Sequence, residues 1–219
     1  MRRGAHHRFG AVLAAILVLA SSGYARVQQV VDRIVVRIEN DLILLSELRA
    51  LSRYQKFVDG KAESDQQILD RLVDQWIVRT EADTARFVHP SGAEIDGSLD
   101  RLKRSFGSPE EYEARKKESG QSDAEVRAMI ASQLYLSNYL DSRFRPVVQI
   151  DPHEIEKFYQ ETLVPRAKAR GQEPPTLDAA RETIQELLVQ QGISAQAEQW
   201  IKESRDRLHV DKLLAEAGK

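Results

Sequence analysis

From Val30 the chain reads Val-Val-Asp-Arg-Ile-Val-Val-Arg-Ile-Glu, with Ile34, Val36 and Ile38 on one face and Arg33 and Arg37 on the other. A period of two in β-branched residues predicts a half-buried strand. Glu39, Asn40 and Asp41 supply a turn, and Leu42 to Leu45 return as a short second strand before Ser46 and Glu47 begin a helix carrying Leu51, Tyr54 and Phe57. Beyond this hairpin the period becomes helical and start signals recur. Ser64 or Asp65 opens a helix from about Gln66 to Phe87, whose stripe is Ile68, Leu72, Trp76 and Ile77 with Leu69 and Val73 beside it. Ser91 with Glu94 forms a capping box for a helix ending near Gly107. Ser108 and Pro109 start a short helix that Gly120 stops, and Ser122 with Glu125 caps a long one. The long stripe runs Val126, Met129, Ile130, Gln133, Leu134, Ser137, Leu140 and Phe144, and Pro146 ends it.

Asp151, Pro152 and Glu154 start the next helix, with Ile155, Phe158, Tyr159 and Leu163, expected to finish near Pro165. Residues Arg166 to Pro175 are charged, contain glycine and end in Pro-Pro, the composition of a connector. Thr176 then caps a helix with Ala180, Ile184, Leu187 and Leu188, followed beyond Gly192 by Ala197, Trp200 and Ile201. Leu208 to Leu214 alternates as another short strand. A hairpin is marginal alone and gains from a third strand, so the C-terminal strand is expected to complete the N-terminal sheet. The expected class is mainly α, a multi-helix core with a small sheet. Its organisation is a leader over 1–25, a helical region with the hairpin over 26–165, a linker over 166–175, and a helix and strand over 176–219 that complete the same core.

The leader is read from Arg2, Arg3 and Arg8 ahead of the apolar run Phe9 to Ala20, followed by small residues. That order is a secretory signal peptide, with cleavage expected between Ala25 and Arg26. The run is roughly 12 residues where about 20 span a bilayer, which disfavours the alternative of an uncleaved anchor. No membrane span is expected after cleavage. With no cysteine in the chain, acylation as a lipoprotein is excluded and no disulfide framework supports the exported protein. At 42% hydrophobic and 30% charged residues, its own apolar core suffices. Removing three arginines from 32 basic residues leaves 29 against 34 acidic, a net charge of -5, which argues against a nucleic-acid partner.

Candidate chemistry is sparse. His6 and His7 fall in the leader, and His89, His153 and His209 lie far apart with no His-Glu-x-x-His spacing for a metal. Asp151, His153 and Glu154 could suggest a metal or acid-base cluster, but the same order starts a helix. No Gly-x-Gly-x-x-Gly and no Gly-x-x-x-x-Gly-Lys-Ser/Thr occurs. No catalytic residue, metal or cofactor is expected. Trp76, Ile130, Leu134 and Trp200 sit mid-stripe and are expected in the core. Tyr54, Phe57, Phe106, Tyr112, Tyr135 and Tyr139 lie at helix ends or off the main stripe, the positions expected to offer an adhesive surface to varied partners.

Val30 to Leu48 resembles the start of the mature periplasmic chaperones of the SurA family, as does Ile68-Leu-Asp-Arg-Leu-Val-Asp-Gln-Trp-Ile. Ser91 to Glu94, Ser108 to Glu118 and Ala197-Glu-Gln-Trp-Ile-Lys-Glu-Ser-Arg follow the same helix order. The resemblance covers nearly all of the chain beyond the leader. It implies an ATP-independent periplasmic holdase for unfolded outer-membrane protein precursors, with the N-terminal helices and the C-terminal helix and strand in one core. Relatives usually carry a parvulin prolyl isomerase domain of roughly a hundred residues, domain-sized, where this chain has only its connector. Isomerase activity is therefore not expected. The alternatives are a parvulin-type isomerase relative and a non-catalytic envelope adaptor.

Overall fold

The computed structural model describes residues 32–214. The leader and the Ala25–Arg26 cleavage site lie outside the described residues. Strands β1 (Ile34–Ile38) and β2 (Asp41–Leu44) pair antiparallel around the two-residue turn Glu39-Asn40, with Glu39 at φ 50°. A register shift between Ile34 and Val36 breaks the simple alternation, and both Val35 and Val36 are fully buried. Strand β3 (Val210–Lys212) pairs antiparallel with the other edge of β1, giving the order β2-β1-β3. The two ends of the described chain therefore share one sheet, as the strand patterns predict.

Helix α1 (Leu45–Asp59) starts one residue earlier than Ser46. Leu44 stands at the cap, its N–H donating to Glu47 Oε2 at 2.8 Å, while the Ser46 N–H donates to Asp32 Oδ1 at 3.2 Å. The remaining helices are α2 (Asp65–Thr84), α3 (Gly92–Ser105), α4 (Pro109–Glu118), α5 (Asp123–Phe144), α6 (Pro152–Phe158), α7 (Val164–Ala169) and α8 (Leu177–Arg205). Ser64, Ser91 and Ser122 each accept from the backbone N–H three residues on, and Gln67, Glu94 and Glu125 return to the cap N–H. Asp151 accepts from the His153 N–H at 2.8 Å and its own N–H donates to Glu154 at 2.9 Å. The Asp-Pro-His-Glu segment is thus a helix cap.

Pro165 does not end its helix. A π-helical turn over Tyr159–Leu163 joins α6 to α7, and the chain stays helical to Ala169. The wider turn accommodates a ring that has no N–H and would crowd the carbonyl four residues back in a regular helix. Irregular backbone is confined to 172–176 after the turn at Gly171, so the expected linker over 166–175 begins inside a helix. Gly192 is an interior residue of α8. A Cβ there would meet Val148 Cγ1 at 2.6 Å, so its absence lets the extended segment after α5 lie against α8.

Helix α5 packs against α2, α3 and α8. Its Val126 and Ile130 join Tyr54, Phe57 and Tyr112, while Tyr135, Leu136 and Tyr139 pack on Val78 and Ala82 of α2. Being covered on several sides, α5 buries more than the single stripe its periodicity suggests. Sheet and helices meet where Val35, Val36, Ile38 and Ile43 pack with Ile68, Leu69, Val73 and Ile77. The C-terminal closure is fastened by Arg205, which pairs with Asp74 and donates to Asp70 Oδ1 at 3.0 Å, and by Lys212 at 2.7 Å from Asp70. Among the described residues, no helix is long and apolar enough to cross a membrane.

Candidate functional site

The six aromatic residues expected at the surface are mostly interior. Phe57 is 0% exposed and stands at 5.3 Å from both Phe106 and Tyr112, with Tyr54 at 6.2 Å. Only Phe106 of this group is half-buried. Tyr135 and Tyr139 pack around Phe87 at 6.0 and 5.5 Å. The reason is the bundle: positions off one helical stripe are covered when a second helix arrives on that side. Two of the six nonetheless reach a surface depression, Tyr54 at one and Tyr135 at another.

These depressions follow one another along α2. The largest, about 990 Å³, lies between α1 and α2 with Leu102 of α3 and Gln133 of α5 on its far side. A second of about 290 Å³ lies between β2 and α2, and shares Gln75 with the first. A third of about 560 Å³ lies beside His89, Pro90, Ile95 and Tyr135, and shares Arg79 and Asp83 with the second. The α2 residues involved include Gln67, Arg71, Gln75, Arg79 and Asp83, spaced by four, hence one ridge of the helix. Sixteen residue steps at about 1.5 Å make the ridge about 24 Å long. That length matches about seven residues of extended chain at about 3.3 Å each.

Walls of this trough combine apolar and amide groups. Leu51, Tyr54, Val58 and Ala62 line the first depression together with Gln55, Gln67, Gln75 and Gln133. The Tyr54 hydroxyl donates to Gln133 Oε1 at 3.3 Å, leaving the Gln133 amide hydrogens directed elsewhere. Gln75 enters no side-chain hydrogen bond among the described residues. An amide both donates and accepts, so it matches a polypeptide main chain whatever the side chains. In the third depression the Tyr135 hydroxyl donates to Asp83 Oδ1 at 2.7 Å, and the His89 ring stacks on Tyr135 at 4.2 Å. Arg79 donates to Ser132 Oγ at 3.0 Å within the lining of the third depression. Burial pushes both tyrosine hydroxyls up to about 12, with the Asp83 bond adding to the rise at Tyr135.

At the mouth of the first depression Glu63 pairs with Arg71 and also accepts from Gln55 Nε2 at 2.9 Å. The Arg71 hydrogen bond, then that of Gln55, lowers the Glu63 carboxyl from 4.5 to about 2. On α8, Arg145 and then Gln190 lower Glu186 from 4.5 to about 2. A carboxyl whose folded value is depressed contributes stability above its unfolded value and loses it as pH falls through the folded one. The melting temperature is accordingly expected to fall between pH 4.5 and 2, read by circular dichroism; a flat profile there would contradict these pairings.

His89 follows α2, His153 is on α6 and His209 precedes β3, and the described residues contain no group of three side chains placed to hold a metal ion. Sequence reasoning missed Gln75, Arg79 and the rest of the α2 ridge. Their spacing of four was visible, but a polar ridge at that spacing is also what any solvated helix face shows. Compared with known proteins, the chain matches no protein-family model and no curated protein.

Proposed function

We propose that the protein is a non-enzymatic, ATP-independent holdase that keeps unfolded polypeptide in extended form. The observation that carries this reading is the row of three depressions along α2, which we call the trough and whose neighbours share lining residues of the ridge Gln67, Arg71, Gln75, Arg79 and Asp83. Its apolar lining residues take side chains without demanding one shape, and its amides take main chain without reading sequence. Binding spread over several shallow sites is weak at each, and the linked contacts together hold the chain. The apolar leader sequence and the resemblance to SurA-type chaperones support a periplasmic setting with outer-membrane protein precursors as clients.

The test is aggregation of a urea-denatured porin-like barrel protein on dilution, followed by light scattering. Near-stoichiometric amounts of this protein are expected to suppress scattering without ATP. Unchanged scattering across several unrelated clients would defeat the reading. A proline-peptide turnover assay run in parallel is expected to stay at the background rate.

A further inference from the structure

The second depression borders the outer edge of β2, which pairs with no further strand among the described residues. In the β1–β3 pairing the Glu39 N–H donates to the His209 carbonyl at 3.2 Å and the Leu213 N–H to the Val35 carbonyl at 2.8 Å. Odd-numbered residues of β1 therefore face β3, and Val36 and Ile38 face β2, opposite Ile43 and Asp41. Antiparallel strands alternate, so Leu42, between those two, directs its N–H and C=O away from β1. The Leu44 N–H is already taken by Glu47. Among the described residues, Leu42 thus presents an unpaired donor and acceptor on the outer edge of β2, and it lines the depression whose opposite wall is Leu72, Gln75, Trp76 and Arg79 of α2.

We propose that an extended client segment adds to the sheet at this edge, exchanging two main-chain hydrogen bonds with Leu42 and laying alternate side chains on Leu72 and Trp76. This rests on the reading of the trough as a polypeptide site and specifies how the chain is gripped there. Strand addition takes its affinity from main-chain bonds and is tolerant of sequence. Charge narrows the choice. Asp41, Glu47 and Asp83 line the depression against Arg79 alone, so the segment it accepts is neutral or basic. With a single residue's pair of groups on offer the grip is short, which favours release and limits edge-to-edge association of the chaperone itself.

The experiment is fluorescence anisotropy with a labelled nine-residue peptide of alternating valine and lysine. Leu42→Pro removes the outward N–H without removing a bond to β1, and Pro is tolerated at such an edge position. Leu42→Ala keeps the N–H and removes the exposed side chain. Leu42→Pro is expected to weaken binding at least fivefold, and Leu42→Ala less than twofold. If the melting curve shows Leu42→Pro unfolded, the peptide carrying N-methyl groups at alternate residues is titrated into the wild-type protein, with the same fivefold loss expected. Affinity indifferent to both changes would overturn the strand pairing while leaving the trough. Absence of binding by the parent peptide to the wild-type protein would overturn the trough and the pairing together. Glutamate in place of lysine is expected to weaken binding, and tighter binding would overturn the charge assignment.

Discussion

Phe57→Ala is expected to destabilise the protein by about 3–5 kcal/mol, the cost of emptying a packed aromatic site. The ring is 0% exposed and is the shared neighbour of Tyr54, Phe106 and Tyr112, at 6.2, 5.3 and 5.3 Å. These residues come from α1, from the end of α3 and from α4, so the ring is where three segments meet. Collapse into the void would need all of them to move, which places the cost at the upper part of the range. Phe57→Leu, which keeps most of the volume, is expected to cost far less, about 1.5 kcal/mol. Urea unfolding followed by circular dichroism measures both. A loss below about 1 kcal/mol for Phe57→Ala would mean that this residue is a surface contact after all.

Deleting Leu208 to Lys219 is expected to remove about 3 kcal/mol or more, since it strips the third strand and several apolar side chains at once. Leu208, Val210 and Leu214 pack against the cluster formed by the hairpin and α2. Lys212 leaves Asp70, and the β1 edge loses its bonds to β3. What remains is a two-stranded hairpin whose main-chain edge opens to water on both sides. Differential scanning calorimetry is the readout, and an unchanged melt would contradict the closure of the two ends in one sheet.

The features legible in the sequence are those fixed by neighbouring residues. Ser64, Ser91, Ser122 and Asp151 place helix starts because a cap is satisfied within three residues. Alternation at Ile34, Val36 and Ile38 gives the strand, and the same pattern at Leu208 and Val210 gives its partner. Pro165 misleads because the sequence signal for a helix stop is local, whereas the π turn that carries the chain past it is held by Ile155, Phe158 and Tyr159 packing on α8. Tyr135 and Tyr139 mislead for a related reason. Their exposure depends on whether a second helix covers their side of α5, and α2 does. The trough is the least legible feature, since no segment contains it: Tyr54, Gln75, Leu102 and Gln133 are assembled from four helices.

The most direct test of the trough uses a photo-crosslinking amino acid placed at Gln75, between the first two depressions, and separately at Glu182, an exposed position on α8. Both proteins are mixed with a denatured porin-like client, irradiated, and resolved by mass spectrometry. The trough predicts strong crosslinks to client from position 75 and background from position 182. Equal yields, or a yield from position 182 alone, would contradict it.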